Sequence, residues 1–316
     1  MTETSRTVLE KYQIRKTKKQ KSAFIEYVRS VAEQNGYECQ IEKGSFGARN
    51  IVVGSPESAK ALYTAHYDTC PRLPFPNFIT PKNIFIYLLY QLLIVAAFFA
   101  LSFLIGFGIG VVIGFLNVDS EWLSLINAIL FLLLYFLLMF FLFAGPANKH
   151  TANDNTSGVA TLLDIMTSLP QDSKANVAFV FFDLEETGLF GSASFASKHK
   201  KYMRDKLLLN FDCVSDGDKI LLAVNKKAKG FVPLLEEHFQ SRGKFTVEIL
   251  SKGVFYPSDQ ANFKCGVGVA ALKHSKLLKT DYMDRIHTKR DVIFQEENIA
   301  FLTECSVNLA SAIKTR

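Results

Sequence analysis

Two stretches without a single charged residue interrupt this chain, and they restrict its fold more than any other feature. Ile84 to Leu116 runs for about 33 residues without Asp, Glu, Lys or Arg, and Leu123 to Ala144 for about 22. A helix needs about 20 apolar residues to cross the hydrocarbon core of a bilayer. The first run therefore suits one tilted or over-long span, and the second suits one span closely. The pattern predicts a two-helix transmembrane hairpin over residues 83–144. Residues 1–82 and 145–316 on either side would form one discontinuous α/β domain. The connector Asn117-Val118-Asp119-Ser120-Glu121-Trp122 is acidic and carries an interfacial Trp, whereas Arg72, Lys82 and Lys149 flank the outer ends. Basic residues collect on cytoplasmic loops, which places both termini and the larger domain in the cytoplasm and the connector outside. Gly106, Gly110 and Gly114 recur every fourth residue. Such a stripe permits close helix approach, either to the second span or to another copy of the chain in a homo-oligomer.

Composition adds little beyond the hairpin. The formal charge of the 316 residues is +6, an excess compatible with an anionic lipid surface, and no nucleic-acid-binding module is recognisable. Cys39, Cys70, Cys213, Cys265 and Cys305 are scattered singly with no CxxC spacing, as expected of reduced thiols in a cytosolic part. The start, Met1-Thr2-Glu3-Thr4, is polar and has no apolar region of a secretory signal.

Outside the apolar block the periodicity is that of an α/β domain. Leu9, Tyr12, Ile14, Phe24, Tyr27, Val28 and Val31 form a loose helical stripe over about the first 35 residues, closed by Asn35-Gly36. The basic run from Arg15 to Lys21 interrupts it. That run reads either as a solvated helix face or as a contact to lipid headgroups, worth about 1 kcal/mol per basic residue at an anionic surface. Short strands are expected at 37–42, 50–53 and 61–65, the last leading straight into His66. After the hairpin come a helix (157–167), a continuous apolar strand (176–183), a helix (189–199) and a strand (207–213). A hairpin-like piece (219–224), a helix (232–240), a strand (245–250), a short helix near Asp259, a strand (267–272) and a closing helix (296–313) follow. Strands alternating with helices imply a mixed, mostly parallel sheet covered on both faces.

Asp, Glu and His in the absence of Cys suit zinc, manganese or cobalt in a hydrolytic site. His66 and Asp68 follow one expected strand end, Glu185 and Glu186 a second, and Asp212 a third. The carboxyl ends of strands in an open α/β sheet meet at the crevice where ligands bind, so these groups are positioned to converge. Singly, each has an ordinary reading. Most histidines are surface or core residues, as expected here for His150, His199, His238 and His274. A Glu-Glu pair commonly starts a solvated helix, and Asp-Asn-Thr-Ser-Gly commonly makes a capped turn. Their occurrence together points to a site.

The segments Thr64-Ala65-His66-Tyr67-Asp68-Thr69, Ala152-Asn153-Asp154-Asn155-Thr156-Ser157-Gly158, Asp183 through Ser192 and Arg285-Ile286-His287-Thr288 resemble the signature of a co-catalytic zinc peptidase family. Its members include bacterial leucyl aminopeptidases, aminopeptidase Y, glutamate carboxypeptidase and glutaminyl cyclase. The resemblance runs from about residue 23 to the C-terminus and excludes the hairpin. It implies that Asp154 bridges two divalent ions, most often Zn2+ with Mn2+ or Co2+ as alternatives. His66 and Asp212 would complete one ion, and Glu186 and His287 the other. Asp68 would orient the His66 imidazole through its other nitrogen, and Glu185 would be the general base acting on a water activated by both ions. Where members carry Ser-Asp-His, this chain has Ser258-Asp259-Gln260. The Tyr that donates to the oxyanion in relatives has its nearest counterpart in Tyr256, with Tyr282 as the other candidate.

The leading expectation is a membrane-tethered dimetal aminopeptidase acting on peptides. A cyclase of N-terminal glutamine, or a non-enzymatic receptor or scaffold on the same fold, are the alternatives. The hairpin would leave and rejoin the chain within about 16 residues of Asp68 and about 10 of Asp154. At about 3.3 Å per extended residue that keeps the site near the bilayer. The hairpin could thus deliver membrane-derived peptides or serve only as an anchor.

Overall fold

The computed structural model describes residues 1–115 and 119–313. Leu116, at the end of the first apolar run, and Asn117 and Val118 of the connector lie outside the described residues. The chain divides into two compact units, Met1–Asn83 with Ala147–Arg316, and Ile84–Pro146.

The larger unit begins with two helices, α1 (Glu3–Lys11) and α2 (Lys18–Gln34), where the apolar stripe suggested one interrupted helix. Thr2 caps α1. Thr17 and Gln20 form a reciprocal capping box that restarts the helix at α2. Strands β1 (Cys39–Lys43), β2 (Arg49–Val53) and β3 (Ala61–His66) precede the apolar block. Helices α3 (Ile84–Gly114) and α4 (Ser120–Ala144) make up most of that block. Beyond it lie α5 (Gly158–Ser168), β4 (Val177–Phe182), α6 (Phe190–Lys198), α7 (Lys200–Met203), β5 (Leu207–Phe211) and β6 (Lys219–Val224). The chain continues through α8 (Val232–His238), β7 (Thr246–Leu250), β8 (Gly266–Ser275), β9 (Thr280–Tyr282) and α9 (Glu296–Ile313).

The strands form one mixed sheet in the order β1-β2-β4-β3-β5-β8-β6-β7, with β9 paired to β8. Its centre is parallel: β3 lies between β4 and β5, and β5 pairs parallel with β8. Every residue of β3, β4 and β5 is buried. This accounts for their near-continuous apolar sequence, because helices cover both faces. Alternate side chains point to opposite faces. Tyr63, Phe179, Phe181 and Leu209 pack with Val28 of α2, Leu162 of α5 and Leu302 of α9. Leu62, Val180, Phe182 and Leu208 pack with Phe195 of α6 and Met203 of α7. One sequence expectation is corrected here: the piece at 219–224 is no hairpin, since β6 pairs parallel with β7 and antiparallel with β8. The short helix expected near Asp259 is a single 3-10 turn, Asp259–Asn262.

The basic run is corrected at two residues, while Lys18 and Lys19 are exposed on α2 as a solvated face would be. Arg15 is completely buried and Lys21 is 8% exposed, where Lys21 pairs with buried Asp183. These two residues therefore form neither a solvated face nor a headgroup contact. The break between the helices lets the chain turn inward at this point.

In the smaller unit, α3 and α4 are both long and apolar enough to cross a membrane. They pack along the glycine stripe. Ser102, Gly106 and Gly110 are the buried residues of α3. A Cβ on Gly110 would stand 2.1 Å from Asn127 Oδ1, and one on Gly106 would stand 3.7 Å from the backbone nitrogen of Phe131. The face offered in the sequence to a second copy of the chain is thus filled by α4, and a homo-oligomer through Gly106 and Gly110 loses its surface. Gly114 meets only Leu123.

Candidate metal centre

The ends of β3, β4 and β5 lie side by side in register, with His66 beside Phe182 and Thr64 beside Asn210. His66, the Asp183–Glu186 loop and Asp212 therefore emerge at one edge of the sheet. The loop leading into α5 brings Asp154 to the same place, and the loop before α9 brings His287. His66 Nε2 lies 3.4 Å from Asp154 Oδ1 and 3.4 Å from Asp212 Oδ1. His287 Nε2 lies 3.3 Å from Asp154 Oδ2 and 3.2 Å from Glu186 Oε2. Two groups of three donors thus share Asp154, each group using a different oxygen of its carboxylate.

These separations are those of ligands around a common ion. Donors about 2.0–2.1 Å from a tetrahedral zinc stand about 3.3 Å from one another. The buried oxygens Glu186 Oε1 and Asp212 Oδ1 have no hydrogen-bond partner, a costly state for a carboxylate unless a cation satisfies it. Among the described residues, three groups are close enough to hold a metal ion: His66 with Asp154 and Asp212, Asp154 with Glu186, His287 and Cys70, and His66 with Glu185 and Glu186. Cys70 was not singled out in the sequence. Burial raises its thiol well above the usual value, with Glu186 and Asp154 adding to the effect.

The charge pattern is that of a site short of positive charge. Burial alone would lower the His66 imidazole, but Glu185, Asp154, Asp212 and Asp68 raise it well above its ordinary value. His287 is raised against burial by Glu186 and Asp154. Burial raises the half-buried Glu185 carboxyl, with Glu186, Asp212 and Asp259 adding repulsion. Asp259 is pushed up to about 7 by burial and by the carboxylates around it.

Several groups hold the ligand loops, and most were not read from the sequence. The carboxylate of Asp68 accepts the backbone N–H of Glu185 at 3.0 Å and of Glu186 at 3.3 Å. The Nδ1 of His66 lies 3.1 Å from the main-chain carbonyl of Asp68 and 3.7 Å from its carboxylate. The expected orientation of the imidazole therefore comes from the backbone of Asp68, while its side chain holds the Glu185–Glu186 loop. Asp291 accepts the N–H groups of Asn153 and Asp154 at 2.8 and 3.0 Å, and burial with the nearby Asp154 pushes it up to about 8. Asn155 donates to the carbonyl of Phe211 and accepts from Gly158 and Cys213. A Cβ on Gly158 would come within 2.2 Å of that same carbonyl, so the close approach of α5 to β5 requires glycine.

Arg15 ties two of these loops together. Its Nε donates to the Tyr67 carbonyl, its Nη1 to Thr156 Oγ1 at 3.1 Å, and its backbone N–H to Thr69 Oγ1 at 3.1 Å. Burial lowers the guanidinium to about 10, with Asp68 and Asp154 opposing, and it remains charged at neutral pH. Leu184, Cys213 and His287 have φ of 56°, 57° and 64°. Each left-handed residue costs on the order of 1 kcal/mol, and the surrounding bonds hold all three in place.

The remaining sequence candidates are placed as follows. Tyr256 is buried, and its hydroxyl donates to the carbonyl of Asp212 at 2.9 Å. Gln260, standing where relatives carry His, donates to the Tyr256 carbonyl and accepts from Asn210. Tyr282 lies against Phe78 and under Lys273. Of the other histidines, His199 bonds Glu42 and His274 bonds Asp281.

Solved structures share this fold at low identity. The LapA aminopeptidase of Legionella pneumophila matches at 14% identity and TM-score 0.56, covering 99% of this chain and 70% of that one. The glutaminyl cyclase of Porphyromonas gingivalis matches at 15% and 0.56, covering 98% and 95%. A leucine aminopeptidase precursor from Bacteroides thetaiotaomicron matches at 14% and 0.54, covering 97% and 93%. No curated protein sequence matches the chain. The model of Peptidase family M28 matches residues 141–312, which is more than half of the chain, and on that ground the chain belongs to this peptidase family.

Proposed function

We propose that the chain is a membrane-tethered dimetal aminopeptidase that removes N-terminal residues from peptides. The observation that carries this is the sharing of Asp154, with one carboxylate oxygen toward His66 and Asp212 and the other toward His287 and Glu186. These five residues would hold two divalent ions, with zinc the best match to an all-N/O donor set of this spacing. When bound, such a pair polarises the scissile carbonyl and activates water for attack. Glu185 is adjacent but outside both groups built on Asp154. A carboxylate so placed can take a proton from the attacking water and hand it to the departing amine. Asp68 fixes Glu185 through the backbone N–H, so the proton carrier and the Glu186 ligand are set by one carboxylate. Tyr256 holds the backbone of Asp212 and acts on the site through that ligand.

Two apolar helices of spanning length support the tether. The outer flanks, richer in basic residues than the connector, favour a cytoplasmic catalytic unit. A cyclase of N-terminal glutamine is the rival reading, since a glutaminyl cyclase shares the fold as closely as the aminopeptidases. The presence of two groups of donors sharing Asp154 favours the dimetal peptidase reading.

Glu185→Gln tests the mechanism. Metal content is expected to stay at about two equivalents, while kcat on a leucyl peptide amide falls by roughly 10³. Full activity in this variant would remove Glu185 from the chemistry. One bound metal together with pyroglutamate formation would establish the cyclase instead.

A further inference from the structure

The basic run that breaks the N-terminal helices does more than place Arg15. Lys16, Lys18 and Lys21 join Lys43 and Arg49 around a cavity of about 440 Å³, in which Asp183 is the acidic residue of the lining. Lys21 is paired with that Asp183, and the lining still carries an excess of positive charge. The same cavity is lined by Leu184, the neighbour of Glu185 in the chain. Adjacent Cα atoms are about 3.8 Å apart, so the wall of the cavity begins one residue from the proton carrier. Burial lowers the Lys16 ammonium, and Glu186 is the foremost charge opposing that. Phe46, 79% exposed, lines the cavity and meets Phe190, which follows the Glu185–Gly188 loop, in a tilted ring contact with centroids 4.3 Å apart.

We propose that this cavity is a subsite for the C-terminal carboxylate of the substrate, which makes the protein selective for peptides of a few residues with a free acid end. The inference rests on the aminopeptidase reading above. An extended tripeptide spans about 10 Å, a length that suits a cationic subsite whose lining reaches Leu184, the residue before Glu185. A longer chain or a blocked terminus would bring an uncharged group to the lysines. A lipid headgroup offers similar charge. The setting favours a peptide, because the cations line a concavity with Phe46 in its wall, with Lys16 half-buried and Lys18 and Lys43 exposed.

The test compares Leu-Gly-Gly with its C-terminal amide on the full chain in phosphatidylcholine nanodiscs. Hydrogen bonds to a charged group are worth about 1.5–3 kcal/mol, so the free acid should be favoured about ten- to a hundredfold in kcat/KM. In Lys16→Gln/Lys43→Gln that acid-to-amide ratio should fall toward one, read within the variant and independently of its absolute rate. Equal cleavage of acid and amide by the unaltered protein overturns the subsite and leaves the aminopeptidase reading standing. Cleavage of neither overturns both. A ratio that survives the double substitution also overturns the subsite. So does a ratio near one with both rates rising together when phosphatidylserine is added, which would assign the cavity to headgroups.

Discussion

The two units are built inside out relative to each other. In the catalytic unit Phe179, Phe181 and Phe182 are fully buried, and polar groups collect at the strand ends, where hydrogen bonds hold them. In the hairpin the large apolar side chains face outward, with Phe85 82%, Val112 65% and Phe136 65% exposed. The small and polar residues Ser102, Gly106, Gly110 and Asn127 lie at the helix contact. Fully burying a Phe or Leu is worth about 1.5–3 kcal/mol in water. A surface of this kind is therefore strongly unfavourable in water and costs nothing in hydrocarbon. The same physics yields both units once the solvent is changed, and this supports the proposed membrane tether. It also means that substitutions should act through different causes in the two units.

The largest effect is expected at the shared carboxylate. Asp154→Ala removes one donor from each group of three, so metal content should drop from about two equivalents to below one. Activity should fall by at least roughly 10³. A chelator should reproduce the loss in the unaltered protein, with a lowered melting temperature, because ions that bind only the folded state stabilise it by mass action. Metal analysis and a thermal scan read both outcomes. Retention of two equivalents in Asp154→Ala would break the view that this carboxylate serves both groups.

A smaller effect is expected one layer back. Arg15→Met leaves the Tyr67 carbonyl and the Thr156 hydroxyl without their buried donor and removes the positive charge beside Asp68 and Asp154. Leaving a buried acceptor without its donor costs about 1–3 kcal/mol. Supports of ligand loops also typically change metal affinity by about 10- to 100-fold. Denaturant unfolding and a metal titration should both move, the titration by at least about tenfold. Normal metal affinity with lowered stability would reduce Arg15 to a packing role.

Legibility in the sequence followed the range of the interactions. His66 ends β3, Asp212 directly follows β5, and Glu185 and Glu186 lie within four residues of the end of β4, and a continuous apolar run ending in acid or His is a local pattern. The hairpin was equally plain, since composition alone defines it. What was missed depends on contacts between distant segments. Asp291 lies four residues past His287, yet its role is to accept N–H groups 138 and 137 positions away. Arg15 sat in a run that looked like a charged helix face. The usable signal was the Thr17–Gln20 capping pair, which restarts the helix and leaves the preceding residues free to turn inward. The role of Asp68 was half legible, because the adjacency to His66 was visible while the backbone of Glu185 and Glu186 was not.

The smallest effect separates shape from composition within the hairpin. Gly110 and Gly108 are two residues apart on α3, and both are glycines in an apolar helix. A Cβ at Gly110 would collide with the Asn127 side chain, whereas one at Gly108 meets nothing within 4 Å. Gly110→Leu should therefore force α3 and α4 apart, at a cost of about 1–3 kcal/mol for overpacking. Gly108→Leu should be near neutral, adding apolar surface on a face that already carries it. Cysteine pairs placed across the helix contact report this directly, with crosslinking reduced in Gly110→Leu and retained in Gly108→Leu. Turnover of a soluble peptide is expected to be the same in both, since neither residue belongs to the catalytic unit. If both substitutions loosened the contact equally, total apolar length rather than the fitted stripe would hold the helices together, and the inside-out packing of the hairpin would lose its specificity.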